Sequence, residues 1–193
     1  MRVSRAQAEA NREAVINAAS RLFREHGFDG IGLKDLMKGA GLTQGGFYKQ
    51  FESKDDLAAQ ASRRAMEHAT LRWSAAAAAS PDPLEAVIDL YLSPGHREMK
   101  GEGCPLVALG SDAARQSEEV REPFQDGIAA HLEILDQLMP AAEGPGDHHK
   151  AMAMLSLMVG AVTISRILKD EEMSLRFLSA AAGEVRRIAA SRE

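Results

Sequence analysis

The stretch LKDLMKGAGLTQGGFYKQFESKDDL, residues 33–57, decides the fold. Leu33, Leu36 and Met37 recur at helical spacing and leave Lys34, Asp35 and Lys38 outward. Gly39-Ala40-Gly41 ends that helix, because glycine enters the left-handed C-cap conformation without a Cβ clash. Thr43 is of the type that caps a helix start, its hydroxyl accepting from an orphan N–H. The helix it opens, residues 43 to about 51, is short, and Phe47 and Phe51, one turn apart, are its buried anchors. Ser53 to Asp56 has capping-box spacing, with Asp in place of Glu, and starts a third helix.

Two helices joined by a short glycine-containing turn form a helix-turn-helix, whose second helix enters the DNA major groove. The residues left outward suit that task. Gln44, near the helix N-terminus, can pair bidentately with adenine. Gly45 and Gly46 have no side chain to hold the backbone off the duplex. Tyr48 and Lys49 can reach phosphates, which position the protein without reading sequence, and Lys34 is counted with the DNA-binding residues. Lys54 stands in the first turn of the next helix, where the dipole adds to its charge. A Tyr-Lys-Gln face is also what a plain solvated helix presents. The coincidence of turn glycine, N-cap, aromatic anchors and capping box favours DNA.

The run AGLTQGGFYKQFESKDDL, set after a first helix ending in LFREHGFDG, resembles the DNA-binding signature of the TetR (tetracycline-repressor) family of bacterial transcription regulators. The resemblance covers residues 8–60. It implies that Thr43, Gln44, Gly45, Tyr48, Lys49, Gln50 and Lys54 fall on DNA-contact positions. The chain departs from the family pattern in three places. Gln50 stands where histidine is commoner, Ile31-Gly32 replaces a Thr-Ser pair and removes a capping hydroxyl, and Met37 fills a position usually held by alanine.

The chain has 193 residues, 45% of them hydrophobic, enough for a sizeable core. Few aromatics and abundant Ala, Leu and Met point to an all-α fold. Net charge is −5, which alone argues against nucleic acid. Divided, the chain tells otherwise: residues 1–66 hold 11 Lys/Arg against 8 Asp/Glu, a charge of +3, and residues 67–193 hold 12 against 20, a charge of −8. Binding depends on the local field, so a basic N-terminal third suits DNA and an acidic remainder limits nonspecific attachment. No uninterrupted apolar run of about 18 residues occurs, and the polar N-terminus lacks a signal core, so neither a membrane span nor export is expected. The single cysteine permits no internal disulfide, as expected in a reducing cytoplasm.

The expected organisation is a helix-turn-helix domain over residues 1–56 and a larger helical ligand-binding and dimerisation domain over 57–193, linked by a helix of about 53–79. Residues 1–7 read as a basic arm, in which Arg2 and Arg5 touch DNA or simply fray. A first helix follows over 7–26, striped by Val15, Ala18, Ala19, Leu22 and Phe23. Gly27 ends it, and Phe28 is expected to close the small core with Leu36, Phe47 and Phe51. Asp82, Pro83 and Glu85 open a helix to about 92. Residues 93–103 read as a polar loop. Further helices are expected at about 105–116, 117–139, 147–168 and 170–191, the third of these following a Pro- and Gly-rich loop over 140–146. Pro123 and Gly127 should kink or delay the helix of 117–139.

The last two helices are apolar over broad surfaces. Met152, Leu155, Val159 and Val162 on one, with Leu175, Leu178, Ala182 and Val185 on the other, are assigned to a self-matched homodimer interface, as the resemblance also implies. The second domain is expected to hold a small-molecule effector, with Trp73, Tyr91, Cys104, Phe124, His131 and Met158 as candidate pocket residues. His131 reads either as a hydrogen-bonded core histidine or as a ligand contact. Cys104 at a helix start is either a small core residue or an electrophile or oxidant sensor of lowered pKa. There is no phosphate loop, no nucleophile elbow and no metal-ligand spacing, His148 and His149 being about 100° apart on a helix, so no enzyme activity, cofactor or metal is expected. The sequence therefore predicts a ligand-responsive, dimeric repressor of a palindromic operator, with Cys104-based sensing as the alternative. A helical protein-binding adaptor is a remote alternative, since it leaves the basic N-terminal third unexplained.

Overall fold

The computed structural model describes residues 4–139 and 148–191 and is all-α, with no strand among them. Arg2, the 140–146 loop and the Asp147 helix start fall outside the described residues. The chain forms two compact units, Met1–Glu67 with Lys100–Gln125, and His68–Met99 with Asp126–Glu193.

In the first unit, α1 (Arg5–His26) starts at Ser4, whose hydroxyl accepts from the Gln7 N–H. Arg5 is thus already helical rather than part of an arm. Gly27, at φ 78°, ends α1. The next helix, α2 (Leu33–Gly39), closes in a Schellman motif. The Leu42 N–H bonds the Met37 carbonyl and the Gly41 N–H the Lys38 carbonyl, each at 2.9 Å. Gly41 takes the left-handed φ of 71° that this turn needs. Gly39 has another use, since a Cβ there would lie 2.6 Å from the Leu22 side chain of α1.

The second helix of the motif is a 3-10 helix, Gln44–Lys49. Two consecutive glycines in six residues give an α-helix little support, so the tighter, shorter form is adopted. Thr43 occupies the N-cap position, but its side chain makes no capping bond. Phe47 and Phe51 are buried as expected, in one cluster with Phe23, Phe28, Leu36, Met37 and Leu57. The capping box ahead of α3 (Lys54–Ala78) forms with a variation. Ser53 accepts from the Asp56 N–H at 2.9 Å, while Asp56 accepts from the Glu52 N–H rather than from that of Ser53. Arg12 and Arg64 tie α1 to α3, at 2.6 Å to Gln60 and to Glu13.

The same unit takes in residues 100–125, which sequence reading assigns to the second domain. Leu109 and Ala113 of α6 (Pro105–Ala113) and Val120 and Phe124 of α7 (Glu118–Leu138) enter the cluster around Phe28. Pro123 does not delay α7, which starts at Glu118.

In the second unit, α4 (Pro83–Tyr91) is capped by Asp82, which accepts from the Glu85 N–H. The expected 93–103 loop contains a short helix, α5 (Pro94–Glu98), with Ser93 as its N-cap. A Ser-Pro pair is a cap followed by a first-turn proline, so the signal for α5 was present in the sequence. The last two helices, α8 (His149–Ile167) and α9 (Glu171–Ala190), form a hairpin, with Asp170 capping α9. Arg186 of α9 pairs with Glu85 of α4. By length and mean hydropathy, 19 residues at 1.4, α8 meets the requirement for a membrane span, which a search for uninterrupted apolar runs does not detect. Met154, Met158 and Val162 bury one side of it against protein.

Gly32 sits at the N-cap of α2 with extended φ and ψ, no capping bond and open space where a Cβ would stand. Gly32→Ser should stabilise the protein by about 0.5–1 kcal/mol, by supplying the cap and reducing unfolded-chain entropy. The urea unfolding midpoint, compared at unchanged slope, checks this.

Candidate nucleic-acid interface

The reading surface is built on a buried aromatic anchor. Phe47 has no exposed surface, and its ring lies 5.4 Å from Phe51 and 5.1 Å, edge-on, from Tyr48. With Phe47 turned in, the same short helix turns Tyr48 out, 74% exposed. Thr43, Gln44, Gly45 and Lys49 are exposed beside it, as is Lys34 on α2. A Cβ at Gly45 would meet nothing within 4 Å, so this backbone is open to close approach. Lys54 is half-buried at the first position of α3. Gln50 is half-buried as well, its amide oxygen enclosed and without a hydrogen bond among the described residues. The surface therefore offers an amide and a threonine hydroxyl at the start of the reading helix, and a phenol and an ammonium at its end. These are the donors that base edges and phosphates require.

The family model for "Bacterial regulatory proteins, tetR family" matches residues 15–61, which hold this motif. The HTH-type transcriptional regulator LmrA of Bacillus subtilis is 30% identical over 132 residues, 66% of this chain and 70% of that one. The chain belongs to the TetR family. An uncharacterized HTH-type transcriptional regulator of Mycobacterium tuberculosis is 28% identical over 173 residues, 82% of this chain and 86% of that one. A TetR transcriptional regulator from Chloroflexus aurantiacus superposes with a TM-score of 0.78 at 25% identity, over 94% of this chain and 97% of that one. The reduced form of E. coli NemR has the same fold, with a TM-score of 0.77 at 22% identity and the same coverage. This TetR-family chain is thus a DNA-binding transcription regulator with an N-terminal helix-turn-helix and a larger C-terminal helical region.

Of the candidate pocket residues, the structure brings Trp73, Tyr91 and His131 together in the second unit. The Trp73 ring is 4.4 Å from His131 and 5.4 Å from Tyr91. Met158 is fully buried in the same unit. Phe124 instead packs edge-on against Phe28 in the core of the first unit, at 6.5 Å. Cys104 also belongs to the first unit, buried at the N-cap position of α6. His96, which sequence reading did not single out, joins the aromatic group 4.6 Å from Tyr91.

The residues assigned to a dimer interface divide. Leu155, Val162, Leu178, Ala182 and Val185 are buried within the protomer, Val159 is half-buried, and only Met152 and Leu175 are exposed. Val162 and Val185 have no exposed surface to offer a second copy, whereas Leu155 and Ala182 keep 7% and 9%. The outward faces of α8 and α9 carry Ile164, Ile167, Met173 and Phe177 instead.

His96 and His131 are held neutral. Burial is the main cause of the lowered pKa of each, to about 4 for His96, where Arg166 and Arg72 lower it further. His96 Nδ1 bonds the Tyr91 carbonyl at 2.6 Å and His131 Nδ1 the Gly127 carbonyl at 2.7 Å, so each Nδ1–H donates. Between about pH 6.5 and 4 the unfolded chain takes up a proton at His96 that the folded chain refuses. Stability is full above that window and falls as pH drops through it, by about 2 kcal/mol for His96 between pH 7.5 and 5. His131 acts in the same direction. Denaturant titrations at both pH values should show the loss, and His96→Gln should reduce its size.

Proposed function

We propose that the chain is a homodimeric repressor that occupies a palindromic operator and releases it when a small-molecule effector binds the second domain. The observation that supports this is the set Gln44, Tyr48 and Lys49, exposed on the 3-10 helix whose Phe47 is sealed in the core. Thr43, Gly45 and Lys34 extend the DNA-contacting set, and Gln50 and Lys54 join it at its edge. Residues 1–56 carry the DNA-binding task and 57–193 the ligand and dimer tasks, with the helix from about 53 to 79 between them. The reaction is one of binding, with no catalytic step, in the cytoplasm. Two copies related by a two-fold axis read half-sites about one helical turn, or a small multiple of it, apart. The effector acts by shifting the population of reading-head spacings.

The dimer forms through the outward faces of α8 and α9, around Ile164, Ile167, Met173 and Phe177. These are large apolar side chains between about 40% and 75% exposed in the protomer. Charge placed there would have to be stripped of water on association. Ile164→Glu with Phe177→Glu should convert the protein to a folded monomer, which light scattering after size exclusion and circular dichroism would register.

Selection of random oligonucleotides by the purified protein at stated salt, followed by sequencing, tests the reading. An enriched palindrome is the expected outcome, and salt-sensitive binding with no motif would refute it. On the selected site, Lys49→Ala should weaken binding to all sequences alike and lower the salt slope by about 1. Tyr48→Phe should also weaken binding uniformly. Gln44→Ala should instead relax the preference at one base pair, by about 1–3 kcal/mol. Parent-like binding by all three variants would remove the 3-10 helix as the reader.

A further inference from the structure

Trp73, Tyr91, His96 and His131 form one buried group within the second unit, none of them more than 5% exposed. They differ in how firmly they are held. Trp73, Tyr91 and His131 stand on α3, α4 and α7, helices of 25, 9 and 21 residues. His96 stands on α5, which has five. A helix of five residues does not persist unaided, so α5 keeps its place through contacts with its surroundings. The His96 ring covers Tyr91, and the Tyr91 ring stands between it and Trp73, at 4.6 Å and 5.4 Å.

The two ends of α5 are fixed in different ways. At its start, the Ser93 hydroxyl accepts from the His96 N–H at 3.1 Å and donates to the Leu90 carbonyl at 3.0 Å, a local joint to the end of α4. At its end, Arg166 of α8 donates from Nε to the Arg97 carbonyl at 2.8 Å. Its Nη2 donates to the carbonyls of His96 and Met99, each at 3.0 Å. One guanidinium fork thus serves three carbonyls at a helix C-terminus. Arg97 adds a bond to Ser174 Oγ of α9 at 2.8 Å, and that hydroxyl donates to the Ser165 carbonyl of α8 at 2.8 Å.

His96 supplies two things to the aromatic group, a planar ring against Tyr91 and an Nδ1–H that donates to the Tyr91 carbonyl at 2.6 Å. A molecule taking its place needs both, since a donation lost inside the protein is not regained from water. It must also be uncharged. Burial penalises a charge of either sign there, and Arg166 and Arg72 oppose a positive one, which is why His96 itself is neutral.

We propose that α5 is a flap, hinged at Ser93 and latched by Arg166, and that when it opens an uncharged aromatic ligand bearing a hydrogen-bond donor takes the place His96 holds against Tyr91. The imidazole is then a built-in occupant of the site, and ligand and flap compete for it. That such a ligand is the effector rests on the effector-released repressor reading given above. The flap does not.

Trp73 is the only tryptophan in the chain and is 3% exposed, so the fluorescence of the full-length protein reports the flap. Acrylamide should quench it about threefold more strongly in Arg166→Met than in the parent, at unchanged far-ultraviolet circular dichroism. Unchanged quenching, or stronger quenching with a lost helix signal, would overturn the flap. If Arg166→Met does not fold, Arg166→Lys, which keeps the charge but not the fork, should give the same increase. Calorimetry with benzimidazole at about pH 8 tests the ligand class. Benzimidazole is uncharged there and carries one N–H, and 1-methylbenzimidazole is the same ring without it. Benzimidazole should bind the latch variant about tenfold more tightly than the parent, because the flap competes less, and 1-methylbenzimidazole should bind about tenfold more weakly than benzimidazole. Equal binding of the two rings, equal binding to the two proteins, or no binding at all means that this place does not take such a ligand, and the proposal fails. None of these readouts involves DNA, so a failed flap and a failed operator reading are separate results.

Discussion

The burial of Phe47 in the cluster that holds Phe23, Leu36, Met37 and Leu57 is the contact on which the DNA-reading surface depends. The 3-10 helix that carries it has six residues, two of them glycine, and no side-chain cap at its start. Such a segment has almost no stability of its own. Burial of a phenylalanine is worth about 3–5 kcal/mol when judged by truncation to alanine, a large share of the 5–15 kcal/mol that holds a typical domain. Phe47 thereby fixes the rotation of its helix, and rotation is what turns Tyr48, Gln44 and Lys49 outward. The chemistry of the surface and the packing beneath it are two sides of one helical repeat.

Much of this was legible in residues 33–57 because each feature there is local. The Schellman turn needs a left-handed residue, the aromatic pair needs one helical turn, and the capping box needs three-residue spacing. Each is satisfied by neighbours in sequence, so no knowledge of the rest of the fold was required. The two details that differ, the 3-10 form and the idle Thr43 hydroxyl, follow from Gly45 and Gly46. Glycines open to a duplex also weaken the α-helix that would have used the cap.

The second unit was less legible, for a physical reason. Apolar residues surround much of α8, and periodicity cannot say which of two apolar faces is turned to the chain's own core. Leu155 and Val162 face inward while Ile164 and Ile167 face outward, and all four look alike in sequence. Phe124 shows the same limit, since its place beside Phe28 depends on contacts about 100 residues apart. His96 was hidden in a segment whose polarity suggested a solvated loop, although burial against Tyr91 makes it a core residue.

The unfilled cap at Gly32 has a bearing on how this regulator can change. Altering base preference means substituting residues of a helix held by one aromatic anchor, and most such substitutions destabilise. A protein near its stability threshold tolerates few of them. Here a reserve lies one turn before Leu36, in a position with room for a hydroxyl and a backbone that already suits it. Filling it first would widen the range of reading heads the scaffold can carry, so the empty cap marks where the evolvability of the DNA-binding unit is stored.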